Sequence, residues 1–283
     1  MHVAINYIVM TSIIVIGIVA LSLINFFISI HPPKFTTPLT PKNFNLDYED
    51  ISFETRDNLT IKGWFIPNNN TDKTIIIAHG YPFDKGNIMQ ATYFLADHFN
   101  LLYFDFRYFG ESQGKYTSVG YHEKKDFLAA VEYLKSRNIT DVGAFGFSLG
   151  AATIIMANSL DVKAIVADSS FAEIDRMIKR NYFIFPSFTK MPFVWLTKLY
   201  TLLFLKIKTS EISPLKEISK INIPILIIHA KQDSQIPVDN SKLLYEASNK
   251  NITELWILDG EHGTSITNPD YKKKIIEFFN NNL

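Results

Sequence analysis

The pentapeptide Gly146-Phe147-Ser148-Leu149-Gly150 constrains this chain more than any other stretch. An apolar run, Val142 to Phe145, precedes it and has the make-up of a buried strand; Ala151 to Met156 follows and begins like a helix. A serine on the sharp turn between strand and helix is pushed out of the sheet, where its hydroxyl can reach a substrate carbonyl. Glycines must flank it, because side chains there would clash with so tight a turn. The bare G-x-S-x-G pattern is common, and an ordinary strand-to-helix turn with an incidental serine would match it. The strand before and the helix after sharpen the signal.

The rest of the chain supplies a setting for such a turn. Asp47 to Glu54 and Thr60 to Ile66 are strand-like runs joined by the turn cluster Arg56-Asp57-Asn58, which predicts an antiparallel hairpin. Thr74 to Ala78 is a continuous apolar run, as in a strand covered on both faces. A helix is expected from about Ile88 to His98, a strand at Leu101 to Phe104, and a helix within Gly120 to Arg137 from the spacing of Phe127, Val131 and Leu134. Strands follow at Val162 to Ala167, Ile223 to Ile228 and Glu254 to Leu258, with helices at Asn240 to Asn249 and Asp270 to Phe279. Strands alternating with helices predict an α/β fold: a mainly parallel central sheet flanked by helices. Ligands of such sheets bind beyond the carboxyl ends of the strands, where Ser148 would sit.

Two stretches depart from the alternation. Val3 to Ile30 carries no charged residue and exceeds the roughly 20 residues a membrane-spanning helix needs. It lacks the basic start and small-residue cleavage site of a signal peptide. We therefore expect a transmembrane anchor over residues 1–32, ended by His31-Pro32-Pro33, and a linker over 33–46. The side of the membrane stays open, since only Lys34 and Lys42 bias it. The α/β body then occupies 47–283. Within it, about 171–215 is aromatic and irregular, with Tyr182, Phe183, Phe185, Phe188, Phe193, Trp195, Tyr200 and Phe204. It reads as an inserted helical cap whose aromatics could fill core, line a pocket or touch lipid.

Balanced charge, 28 basic against 28 acidic side chains, gives no field that would favour nucleic acid. Cysteine is absent, which excludes disulfides, thiol catalysis and cysteine-held zinc. The abundance of aromatics, 23 Phe and 13 Tyr, suits an apolar pocket as well as a core.

A serine hydroxyl needs a base, and the base needs an orienting carboxylate. His262, in Gly260-Glu261-His262-Gly263 after the last strand, is the candidate base, with an exposed loop histidine as the bland reading. Asp233 follows the strand ending at His229 and is the candidate acid; Asp168, at another strand end, is its rival. The order Ser148, Asp233, His262 matches the order of the fold that carries this turn. His79 and His229 read as structural, and His98 and His122 as surface or satisfied. Asp105 reads as organising its own loop. Asp259 and Glu261 flank the histidine too closely to fold back onto its ring. The oxyanion donors would be the backbone N–H groups of Leu149 and Tyr81, the latter in Ala78-His79-Gly80-Tyr81.

Taken together, His79-Gly80-Tyr81, Asp105 to Gly114, Gly146 to Gly150, Ala167 to Phe171, Ser213-Pro214, Pro224 to Asp233 and Gly260-Glu261-His262 resemble the α/β-hydrolase superfamily. Within it the chain is similar to the serine aminopeptidase-like branch that includes membrane-anchored ABHD-type lipid hydrolases. The resemblance runs from about Phe53 to the end. It implies an α/β-hydrolase fold with Ser148 as nucleophile, Asp233 as acid, His262 as base, and Tyr81 and Leu149 as oxyanion donors. Tyr108-Phe109-Gly110 departs from the family's usual glycine-x-glycine, and Ala230 from its usual glycine. The resemblance implies a membrane-anchored serine hydrolase of acyl esters, working through an acyl-enzyme with no metal or organic cofactor. Its partners would be a small-molecule or lipid acyl substrate and the membrane. A peptidase or amidase is the alternative, for which Glu173 or Asp175 could bind a substrate amino group. A non-catalytic membrane-bound scaffold is the third reading.

Overall fold

The computed structural model describes residues 2–183, 185–186 and 189–283. Phe188, one of the insertion aromatics, lies outside the described residues. In chain order the elements are α1 (His2–Ile30), β1 (Glu49–Glu54), β2 (Thr60–Ile66), β3 (Thr74–Ala78), α2 (Lys85–Thr92), β4 (Asn100–Phe104), α3 (Glu123–Ser136), β5 (Val142–Phe147), α4 (Leu149–Ala157), β6 (Ala164–Asp168), α5 (Ile174–Asn181), α6 (Met191–Tyr200), α7 (Pro214–Ile218), β7 (Ile225–Ala230), α8 (Asp239–Ala247), β8 (Thr253–Leu258) and α9 (Tyr271–Asn282).

The strands form one eight-stranded sheet in the order β1-β2-β4-β3-β5-β6-β7-β8. The hairpin β1–β2 and the pairing of β2 with β4 are antiparallel; every pairing from β4 to β8 is parallel. This is the α/β-hydrolase arrangement that the motifs implied. Strands β3, β4, β6 and β7 are buried throughout, which explains their unbroken apolar runs. The chain places β4 on one side of β3 and β5 on the other. The strand order therefore reverses at β3, and loops diverge there to leave a crevice.

Two local readings change. The helix expected from Ile88 to His98 ends as α2 at Thr92 and continues as a 3-10 turn, Tyr93–Asp97. Thr92 sits at φ −130°, and its hydroxyl donates back to the Ile88 carbonyl at 2.9 Å, a contact that bends helices. The stretch 33–46 holds structure of its own instead of trailing as a linker. Asp84, the N-cap of α2, accepts from both the backbone N–H and the hydroxyl of Thr37. The Phe44 ring stacks on Tyr93 at 4.6 Å.

Packing divides the chain into two compact units, 33–173 with 212–283, and 1–32 with 174–211. The first holds the sheet. In the second, α1 and the insertion are one body. A stripe at helical spacing on α1, Ile18, Ser22 and Phe26, meets the insertion. Tyr200 bonds Ser22 and the Val19 carbonyl at 3.3 Å each, and Asn181 donates to Asn25 at 2.7 Å. Tyr182, Phe193 and Val194 form its small core, while Phe183, Trp195 and Phe204 are exposed. Ala4–Ile30 has a mean hydropathy of 2.7 and is long and apolar enough to cross a membrane.

Candidate active site

Strand β5 delivers Ser148 at φ 53° and ψ −112°, a backbone conformation that costs about 1–3 kcal/mol for a residue with a side chain. Neighbouring groups hold it there. The Ser148 N–H donates to the Asp168 carbonyl at 2.8 Å, and α4 begins with Ala152 N–H donating to the Ser148 carbonyl at 3.1 Å. A Cβ at Gly150 would stand 2.2 Å from the Ala78 carbonyl oxygen, and one at Gly146 2.5 Å from the Ala151 nitrogen. Both glycines are thus required by close backbone approach. Leu149 opens α4, so its N–H has no acceptor within the helix and is free to face an anion. A Cβ at Gly80 would lie 3.3 Å from the Ser148 Cβ, which brings the loop after β3, and Tyr81 with it, against the serine.

That loop is fixed by His79. Its Nδ1 bonds the Gly80 carbonyl at 2.8 Å, so Nδ1 carries the proton and Nε2 accepts from the Phe106 N–H at 3.0 Å. Burial pulls the His79 pKa down, consistent with a neutral ring. Asp105 also serves backbone: it accepts from the N–H groups of Lys85 and Glu111, and pairs with the buried Lys85 ammonium at 2.7 Å. Tyr108, where the family more often has glycine, adopts φ 73°, so that departure falls on a left-handed position. Ala230 is fully buried at the end of β7.

The loops after β7 and β8 bring Asp233 and His262 together. His262 Nδ1 lies 2.6 Å from Asp233 Oδ2, so the ring donates there and leaves Nε2 as the basic nitrogen. Asp233 Oδ1 accepts from the N–H groups of Gln235 and Ile236 at 2.9 and 2.7 Å. His229 supplies a second imidazole on the same carboxylate, with Nε2 3.4 Å from Oδ2. That Nε2 donates to the Ile236 carbonyl at 2.7 Å, so Nδ1 accepts from the Ser241 hydroxyl at 2.5 Å. Burial alone would raise the Asp233 pKa. Hydrogen bonds from His229, His262 and the Ile236 N–H outweigh it and hold the carboxyl well below the usual carboxylate range.

The two loops are laced to each other. Gln232 N–H donates to the Gly260 carbonyl at 2.9 Å, and the Gln232 side chain accepts from Gly260 N–H at 2.6 Å. Ser234 N–H donates to Glu261 at 3.1 Å, and Gln232 donates to Asp259 at 3.3 Å. The two acids flanking the histidine thus bind the facing loop rather than its ring. Nothing local in the sequence signals this lacing, because its partners lie about 27 residues apart.

Among the described residues, Ser148 Oγ makes no hydrogen bond with His262. Phe147, next to the serine, packs its ring 4.9 Å from the imidazole. Asp168, the rival acid, makes its hydrogen bonds elsewhere than to His262. It accepts from Tyr271 at 2.8 Å, from Ser169 at 2.9 Å and from Ser265 at 3.3 Å. Burial pushes its pKa up, and the Tyr271 and Ser169 hydrogen bonds offset only part of that. His122, read as surface or satisfied, is half-buried: its Nδ1 is buried without a hydrogen-bond partner, and burial lowers its pKa. Asp175 is paired with Lys198 inside the helical unit. Among the described residues no three His, Asp or Glu side chains are placed to share a metal ion.

Comparisons with known proteins agree with this architecture. Residues 110–283 match the family model described as the prolyl oligopeptidase family. The Bacillus subtilis protein YqkD is 34% identical over 238 residues, covering 78% of this chain and 75% of its own. The Arabidopsis thaliana alpha/beta hydrolase domain-containing protein WAV2 is 27% identical over 227 residues, covering 74% of this chain and 69% of its own. Among solved structures, the Pyrococcus furiosus esterase Pf2001 superposes with a TM-score of 0.73 at 31% identity, over 89% of this chain and 99% of that one. The chain belongs to the prolyl oligopeptidase family and is an α/β hydrolase.

Proposed function

We propose that this member of the prolyl oligopeptidase family is a membrane-anchored serine hydrolase that cleaves carboxylic esters of small or lipid acyl groups. The observation that carries the reading is the hydrogen bond from His262 Nδ1 to Asp233, in the loops after β8 and β7, on the same side of the sheet order as β6 from β5, which presents Ser148. That bond fixes the tautomer in which Nε2 can take a proton. In the reaction, Ser148 Oγ adds to the ester carbonyl as its proton passes to His262 Nε2. The N–H groups of Leu149 and Tyr81 stabilise the oxyanion, each donor contributing about 3 kcal/mol at the transition state. The protonated imidazole gives its proton to the departing alcohol, and an acyl-serine remains. Water then adds, deprotonated by the same nitrogen, which passes the proton to Ser148 Oγ as the acyl bond breaks and the acid leaves. The missing Ser148–His262 hydrogen bond fits this scheme, since such bonds are often long until substrate binds.

The esterase likeness at 31% identity supports the ester, and the apolar span of α1 supports the anchor. The family description favours a second reading, peptide or amide cleavage, through the same acyl-enzyme. Asp175 is a poor receptor for a substrate amino group, because Lys198 already neutralises it.

The test is labelling by a fluorophosphonate probe, with a panel of short-chain esters, long-chain esters and aminoacyl amides. Labelling at Ser148 and turnover of esters above amides are expected. Folded protein that resists the probe would remove the serine hydrolase, and amide turnover in excess of ester turnover would select the peptidase.

A further inference from the structure

The unit made of α1 and the insertion has an apolar surface that its own small core does not use. Helix α6 continues through a wide turn to Leu205, and Met191–Leu205 is an apolar helical stretch too short to span a bilayer. One side of it packs: Phe193 and Val194 with Ile18, and Tyr200 with Ser22 and Phe26. The other side is bare, with Trp195 71% exposed and Leu203 52%. Leu199 and Leu202 are exposed beside them. A contiguous bare surface of this kind marks a contact with something apolar.

The partners of α6 on α1 tell where that surface stands. At about 1.5 Å per residue, some 20 residues fill a hydrocarbon core of about 30 Å. The apolar span of α1, Ala4–Ile30, has 27 residues and is longer than that. The residues that α6 and its continuation cover, Ile18, Ser22, Phe26 and Phe27, lie in the second half of that span, toward its end at Ile30. Leu21, Ile24 and Ile28 on the same stretch of α1 are bare as well. The charge of the unit suits such a site. It carries seven basic side chains, among them Lys190 and Lys206 at the two ends of the apolar stretch, against two acidic ones. Basic ends on an apolar helix match a leaflet with anionic headgroups.

We propose that Met191–Leu205 lies in the boundary between acyl chains and headgroups of an anionic leaflet, beside α1, with Trp195, Leu199, Leu202 and Leu203 against lipid. The insertion is then a second membrane contact, and it places the hydrolase at the surface where lipid acyl esters are found. The inference rests on α1 being the membrane anchor, and it survives or fails independently of the ester chemistry.

Trp195 is a built-in probe. The full chain is reconstituted in vesicles of phosphatidylcholine and phosphatidylglycerol, with or without bromine on the acyl chains, and isolated by flotation. The fluorescence that wild type loses relative to Trp195→Phe isolates the signal of this side chain. Its exposure makes that substitution safe for folding. Expected is strong quenching of the Trp195 component by brominated chains and little by aqueous iodide. In floated protein, quenching by iodide without quenching by bromine overturns the proposal. Shielding from both quenchers also overturns it and indicates cover by protein, such as a second copy. Protein that does not float removes the anchor itself, and the proposal with it.

Discussion

Two adjacent strand ends carry the same residue type to opposite effect. Asp168 closes β6 and Asp233 follows β7. Asp233 faces two imidazoles and two backbone N–H groups, which favour its charged form. Asp168 faces three hydroxyls in full burial, and burial drives it toward its neutral form. The lesson is that position at a strand end nominates an acid, but the donors around it decide its task. Environments that push two carboxyls apart in this way are a mark of divided labour in a site.

The comparison breaks most easily at Ser148, the proposed nucleophile. Ser148→Ala should lower ester turnover by about a million-fold and leave the thermal melt nearly unchanged. A large residual rate would mean that neither strand end serves a serine. Next in size is Asp233→Asn. The new amide would offer an N–H where Oδ2 now accepts from His262, so the ring would turn its proton to Nε2 and lose its base. A drop of roughly ten-thousand-fold in kcat is expected, with KM little changed. Asp168→Asn should keep most of the activity, since only hydroxyls would have to reorient. An equal collapse for both variants would erase the distinction.

Acid and alkaline melts sharpen it further. The folded pKa of Asp233 is depressed, so its contribution to stability is present above the unfolded value near 3.9 and is lost as pH falls through the folded value. The folded pKa of Asp168 is raised, so its contribution is complete below about 3.9 and is lost as pH rises through the folded value. Relative to wild type, Asp233→Asn should therefore lose least stability in acid. Asp168→Asn should gain relative stability as pH rises. Slopes of the same sign in the two variants would contradict the assignment.

How much of this was legible in the sequence differs by level. The strands of the sheet and the turn at Ser148 were, because apolar runs and glycine spacing are local signals. Asp233 could be preferred to Asp168 only by chain order; what separates them is partners drawn from residues 229, 236 and 262 on one side and 169, 265 and 271 on the other. The break of α2 at Thr92 depends on a hydroxyl that also meets Tyr103 of β4 at 2.9 Å. The role of Thr37 in fixing Asp84, 47 residues away, had no local trace, so residues 33–46 looked like a linker. The insertion's aromatics gave no hint that α1 would be their partner, since both segments are apolar along most of their length and neither shows which face is taken.

The smallest effects bear on how Asp168 matters. Tyr271 donates to one of its oxygens and Ser265 to the other, at 2.8 and 3.3 Å. Tyr271→Phe would leave a fully buried acceptor without that donor, at a cost of about 1–3 kcal/mol. In a domain of this size the melt should fall by about 2–4 °C for each kcal/mol. Ser265→Ala removes the longer bond and should cost less, because Ser169 still serves the same oxygen. Ser265, however, stands three residues beyond His262 on the base loop, whereas Tyr271 belongs to α9. If Asp168 steadies the base, Ser265→Ala will lower kcat more than Tyr271→Phe does, with KM unchanged, although its melt falls less. If Asp168 serves only to join β6 to α9, the two losses of activity will follow the two losses of stability, and the carboxyl at the end of β6 is scaffold alone.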